Sequence, residues 1–232
     1  MTLDLPAWPP QRGDLLRPHS PHRPISQGDI FLDLPFVKAS PPREDGSPGR
    51  PTIEARAALV LGYPCEMYRK ATLLPVQTIA VLRRASDVDV PADWFSRREP
   101  PQGAFKACPL PDPLGDGELM AVDFRALSNI DARHLRRATR IASLTEYGTA
   151  YLRQRIALCF SRVTVRVSTI IRAGRATFDE MELWELWSER GHPPDEYQRW
   201  LDAVDSDLGA VRRDALERGL RDEVQSALLR HG

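Results

Sequence analysis

Apolar residues fall in short runs through the first part of the chain and take on helical spacing towards its end. Ala57 to Leu61 is an unbroken apolar run of strand length, and Leu73 to Ala80, largely apolar, reads as a second strand. Ahead of them, Gln27 to Val37 alternates apolar and polar residues behind a Gly28-Asp29 turn signal, the pattern of a half-buried first strand. Lys38 to Pro51 then reads as a long excursion, of the kind that is a binding loop or disordered. Further strands are expected over Ala104 to Leu110, Glu118 to Phe124 and Ala138 to Ile141, with strong turn chemistry from Pro111 to Gly117 and a short helical piece around Ala92 to Phe95. Five or six short strands predict a small, strongly curved antiparallel sheet or barrel.

Helical periodicity takes over after Ile141. Ser143-Leu144-Thr145-Glu146 reads as a capping box, followed by Leu144, Tyr147, Tyr151, Leu152, Ile156, Cys159 and Phe160 on one apolar face. Val163 to Val167 alternates and fits either a continued helix or a strand. A second capping box, Thr177 to Glu180, predicts a helix through Trp187 closed by Gly191, and Pro193-Pro194-Asp195 starts a last segment whose apolar stripe runs from Tyr197 to Leu228. That stripe fits a seam for a protein partner or a second copy, and equally a fold back onto its own domain. The expected class is α+β. Residues 1–26 are a Pro-rich tail, 27–168 the β-domain with its helix, and 169–232 a helical extension.

Composition adds two constraints. Eleven of the 21 prolines lie between Met1 and Pro51, which favours extended or mobile backbone there. The formal net charge of zero hides a basic block: eleven arginines from Arg125 to Arg175 face only Asp131 and Glu146. Such a block suits phosphate backbones, with Arg133, Arg136, Arg137 and Arg140 as the candidate nucleic-acid contacts. The chain's preference for arginine, 29 against three lysines, also allows these to be ordinary solvated faces. Three scattered cysteines form no disulfide or zinc pattern, and no run approaches the roughly 18 apolar residues of a membrane span. A cytoplasmic protein with no membrane association is expected.

The segment Gly62 to Lys70, between the two core runs, concentrates chemistry. Cys65 and Glu66 could act as nucleophile and carboxylate base, although His134 and Arg69 are the only evident candidates to activate the thiol. Glu66 and Asp123 lack a third metal ligand, so neither a metal nor any other cofactor is expected. The pattern places Cys159 in the core.

Taken together, Gly28-Asp29-Ile30-Phe31, Arg56-Ala57-Ala58-Leu59-Val60-Leu61 and Leu74-Pro75-Val76-Gln77-Thr78 resemble the strand motifs of the PemK/MazF toxin family. The resemblance spans about Gly28 to Phe160. It implies an SH3-like barrel and a metal-independent endoribonuclease of a toxin-antitoxin pair, in which a ribose hydroxyl of single-stranded RNA attacks its own phosphate. By position it implies catalytic roles for Arg56 and Thr78, with Gln77 in place of Thr78 if the register slips by one. A guanidinium and a hydroxyl aimed at a phosphorane would stabilise charge where it develops. The chain lacks the family's Gln-x-Gly-x-Arg loop element, carries Ala57 where the family has Pro, and replaces the turn after the second strand. These departures set a second function beside the first: a non-catalytic barrel that binds nucleic acid or protein through its basic face and C-terminal helices.

Overall fold

A computed structural model describes residues 8–197 apart from positions 39, 42, 43, 45, 48, 70, 71, 98–103, 163, 164, 190, 194 and 195, with backbone alone at 64, 65, 175–177, 179 and 186. The elements run α1 (Arg12–Leu15), β1 (Leu16–Pro18), β2 (Ile30–Lys38), β3 (Thr52–Val60), α2 (Pro64–Met67), β4 (Tyr68–Arg69), β5 (Thr72–Leu73), β6 (Val76–Arg84), β7 (Ala107–Pro111), β8 (Leu119–Asp131), α3 (Ala132–Arg137), β9 (Arg140–Leu144), α4 (Glu146–Ser161) and α5 (Val167–Glu189). Seven strands form one antiparallel sheet in the order β1-β9-β2-β3-β6-β8-β7, and β4 and β5 make a small separate ladder. Among the described residues no ladder joins β1 to β7.

The apolar run Ala57 to Leu61 makes the centre of this sheet because it is buried on both sides. Leu59 packs with Ala80, Val122, Leu144 and Leu152 on the face covered by α4, whereas Ala58 and Val60 pack with Phe31, Ile79, Met67 and Leu135 on the other. Each fully buried leucine, isoleucine or phenylalanine contributes about 1.5–3 kcal/mol relative to exposure. Two register shifts bend the sheet. One lies in β2 between Phe31 and Leu34, where Asp33 takes a left-handed φ of 56°, and one lies in β8 opposite Ala80 to Leu82. Beyond the first shift, β2 and β3 pair only with each other, so Leu34–Lys38 and Thr52–Arg56 leave the sheet as a two-stranded ribbon carrying exposed Val37 and Ile53.

Several expectations need correction. Residues 8–26 are not a tail: Leu15 and Leu16 are buried, β1 pairs with β9, and Arg23 and Ser26 are buried as well. Proline suits this path, since a strand on the sheet margin tolerates a missing N–H. The cap of α4 is Thr145, whose hydroxyl accepts from the Gly148 N–H at 2.9 Å, while Ser143 is a strand residue donating to Asp29. Phe160, expected on the buried face of α4, is 60% exposed. Helix α5 begins at Val167, ten residues before the second capping box, and packs along α4. The stripe after Tyr197 lies outside the described residues.

Candidate functional site

Register decides the fate of the Arg56 and Thr78 pair. Ala58 opposes Val81 and Val60 opposes Ile79, so Arg56 shares a face with Ala58 and Val60, and Thr78 shares the opposite face with Ala80 and Leu59. The structure does not bring them together. Arg56 sits on the projecting ribbon, ion-paired to Glu54, and Thr78 donates its hydroxyl to Asn129 Oδ1 across the β6–β8 ladder at 2.8 Å. Gln77 is buried and donates to the carbonyls of Leu74 and Met67, which fixes the loop rather than a substrate. Glu66 is exposed on α2, and the side chain of Cys65 lies outside the described residues. Burial pushes the Cys108 thiol up to about 12, which keeps it inert.

The predicted arginines divide in the same way. Arg133 caps back onto Asp131, whose carboxyl falls to about 2 because the Arg133 side chain and backbone N–H both donate to it. Arg137 and Arg136 are exposed on α3. Arg140 is a structural residue: its guanidinium donates to Asp29 at 2.8 Å and to the carbonyls of Ser20, Arg23 and Pro24. Asp29, fully buried, also accepts from the Ser143 hydroxyl at 2.7 Å and the Ser26 N–H at 2.9 Å. The Gly28-Asp29 signal thus marks a polar knot that ties the N-terminal segment to β9.

A groove of about 620 Å³ opens beside this knot, between residues 21–25, the β4–β5 ladder, α3 and α5. Its wall is apolar and aromatic, from Ile25, Leu73, Tyr68 and Trp184, and its rim carries His22, Arg136 and the edge of Arg140. Tyr68 donates its hydroxyl to the Ile25 carbonyl at 2.8 Å and meets Trp184 edge-on with ring centroids 5.0 Å apart. Trp184 in turn stacks on Tyr197 at 5.2 Å, so the aromatic wall is rigidly backed. Burial, with a smaller push from Asp29, raises the Tyr68 pKa above its ordinary value, and the phenol stays neutral.

Sequence reasoning found Arg136 and missed Tyr68, Trp184 and Arg23. Tyr68 lay within the Gly62 to Lys70 segment but was overshadowed by Cys65 and Glu66. Trp184 falls inside the helix expected to run through Trp187, and nothing in its spacing singles it out. Among the described residues no group of three or more His, Cys, Asp or Glu side chains could hold a metal, and no helix is long and apolar enough to cross a membrane. No protein-family model matches the chain, and no curated protein matches it.

Proposed function

We propose that this chain binds single-stranded RNA in the groove between α3 and α5, as a diverged SH3-like module of PemK/MazF type that does not cut RNA with Arg56 and Thr78. The observation that carries this reading is the combination, in one groove, of a rigid aromatic wall with an exposed guanidinium at Arg136. Bases present an apolar face to aromatic side chains whatever their identity, while arginines follow the phosphates, so such a groove takes single strands without strong sequence preference. The two register shifts support the SH3-like reading, because they curl an open sheet towards a barrel. The family's endoribonuclease activity remains the second reading, carried by the strand motifs alone.

Fluorescence anisotropy with a labelled RNA oligonucleotide separates the two. Arg136→Ala is expected to weaken binding about fivefold, the ~1 kcal/mol of a single phosphate contact, and to lower the salt slope by about one. Arg133→Ala, away from the groove and already satisfied by Asp131, leaves binding within error. In metal-free buffer the RNA stays intact. Cleavage by wild type that is lost in both Arg56→Ala and Thr78→Ala restores the endoribonuclease reading, and equal binding by wild type and Arg136→Ala rejects the groove.

A further inference from the structure

Behind the groove lies a second, smaller space. Arg23 runs inward from the groove loop, its side chain only 4% exposed, and its Nε and Nη1 have no hydrogen-bond partner. The nearest carboxylate, Glu185, is 3.6 Å from Nη1 and is already held by Arg17 at 2.8 Å, so one acid serves two guanidinium groups. The Phe178 ring lies under the guanidinium with its centroid 5.1 Å from Cζ. A buried guanidinium in this condition is unfavourable unless another group reaches it.

The space beside Arg23 is a cavity of about 30 Å³, lined also by Arg153, by the Glu146 carboxylate and by the polar side chains of Ser26, Gln27 and Thr149. Gly174 keeps it open on the α5 side, since a Cβ there would come within 2.4 Å of Arg153 Nη1. The volume corresponds to roughly two waters. It is too small for a nucleotide and fits a monatomic anion. Two guanidinium groups, of which Arg153 already gives its Nε–H to Gln27, and two hydroxyls supply donors for a halide against the one carboxylate of Glu146.

We propose that this cavity is a halide site, occupied by chloride, in which the anion completes the coordination of Arg23 and joins residues 23–27 to α4 and α5. The site is independent of the RNA reading. It bears on the groove through α5, which supplies Trp184 to the aromatic wall.

The test is thermal unfolding of the full chain in sodium chloride and in sodium gluconate at equal ionic strength. Wild type is expected to melt about 3 °C higher in chloride, the scale on which a site-bound ligand moves a chain of this size. Arg23→Met, which keeps the stem and removes the donors, is expected to melt at the same temperature in both salts. Wild-type crystals soaked in bromide are expected to show an anomalous peak in the cavity, a readout that needs no variant to fold. Equal melting of wild type in both salts together with no bromide peak overturns the proposal and leaves the cavity to water.

Discussion

Asp29 holds the N-terminal segment to the sheet through three donors, and one of them is charged. Asp29→Asn preserves the shape but leaves the Arg140 guanidinium, 10% exposed, without its counter-charge. The expected loss is about 3–5 kcal/mol, the usual cost of breaking one side of a buried pair, measured as a shift in urea midpoint. Asp29→Asn with Arg140→Met should recover part of it. At this scale the sequence was half legible. Gly28-Asp29 stood out as a signal, but as a turn and a family motif. That Asp29 pairs with Arg140 depends on β9 lying beside β2, a contact separated by more than a hundred residues that no local pattern encodes. The Arg56 and Thr78 pairing failed for a similar reason: each residue was placed on a strand correctly, but which face each occupies follows from the register of β3 against β6.

Strands were the most legible elements, because runs buried on both faces leave a continuous apolar signature. The expected strands around Ala57 to Leu61, Ala104 to Leu110, Glu118 to Phe124 and Ala138 to Ile141 all have counterparts in β3, β7, β8 and β9. Helix starts were less legible, since Ser, Thr and acidic residues spaced for a cap also occur inside helices and strands. Helix α4 depends on a feature with no pattern at all. Gly148 lies where a Cβ would be 2.1 Å from the Leu15 carbonyl oxygen, so α1 and the start of β1 rest directly on helix backbone. Gly148→Ala improves helix propensity yet is expected to destabilise the protein by roughly 1–3 kcal/mol, as overpacking does. Calorimetry would check the sign: a variant as stable as wild type would mean that α1 is free to shift. The acid cap of α3 behaves differently, because Asp131 is exposed and its loss frays one helix end rather than a core contact.

Over the whole molecule, α5 is clasped to the N-terminal segment by Glu185 with Arg17 and Arg23. Burial alone would raise the Glu185 pKa, but its polar surroundings, with the Arg17 and Arg23 guanidinium groups beside it, outweigh that and hold the carboxyl below its ordinary value of 4.5. A depressed folded-state pKa means that the clasp is complete above about pH 4.5 and is lost as pH falls through the lower folded value. Hydrogen-exchange protection of α5 amides is therefore expected to drop below pH 4.5 before that of β6 and β8, and Arg17→Ala should move the loss to higher pH. Loss of protection in all three elements together would show that α5 and the sheet unfold as one unit. The sheet has its own safeguard at its margins. Strand β7 carries Pro109 and Pro111, and strand β1 carries Pro18, so both outer ladders are short of the N–H groups that a visiting strand would need. A strand from another molecule that meets the seven-stranded sheet at either of these two margins finds few N–H groups to pair with, and a lasting encounter there must be made by side chains.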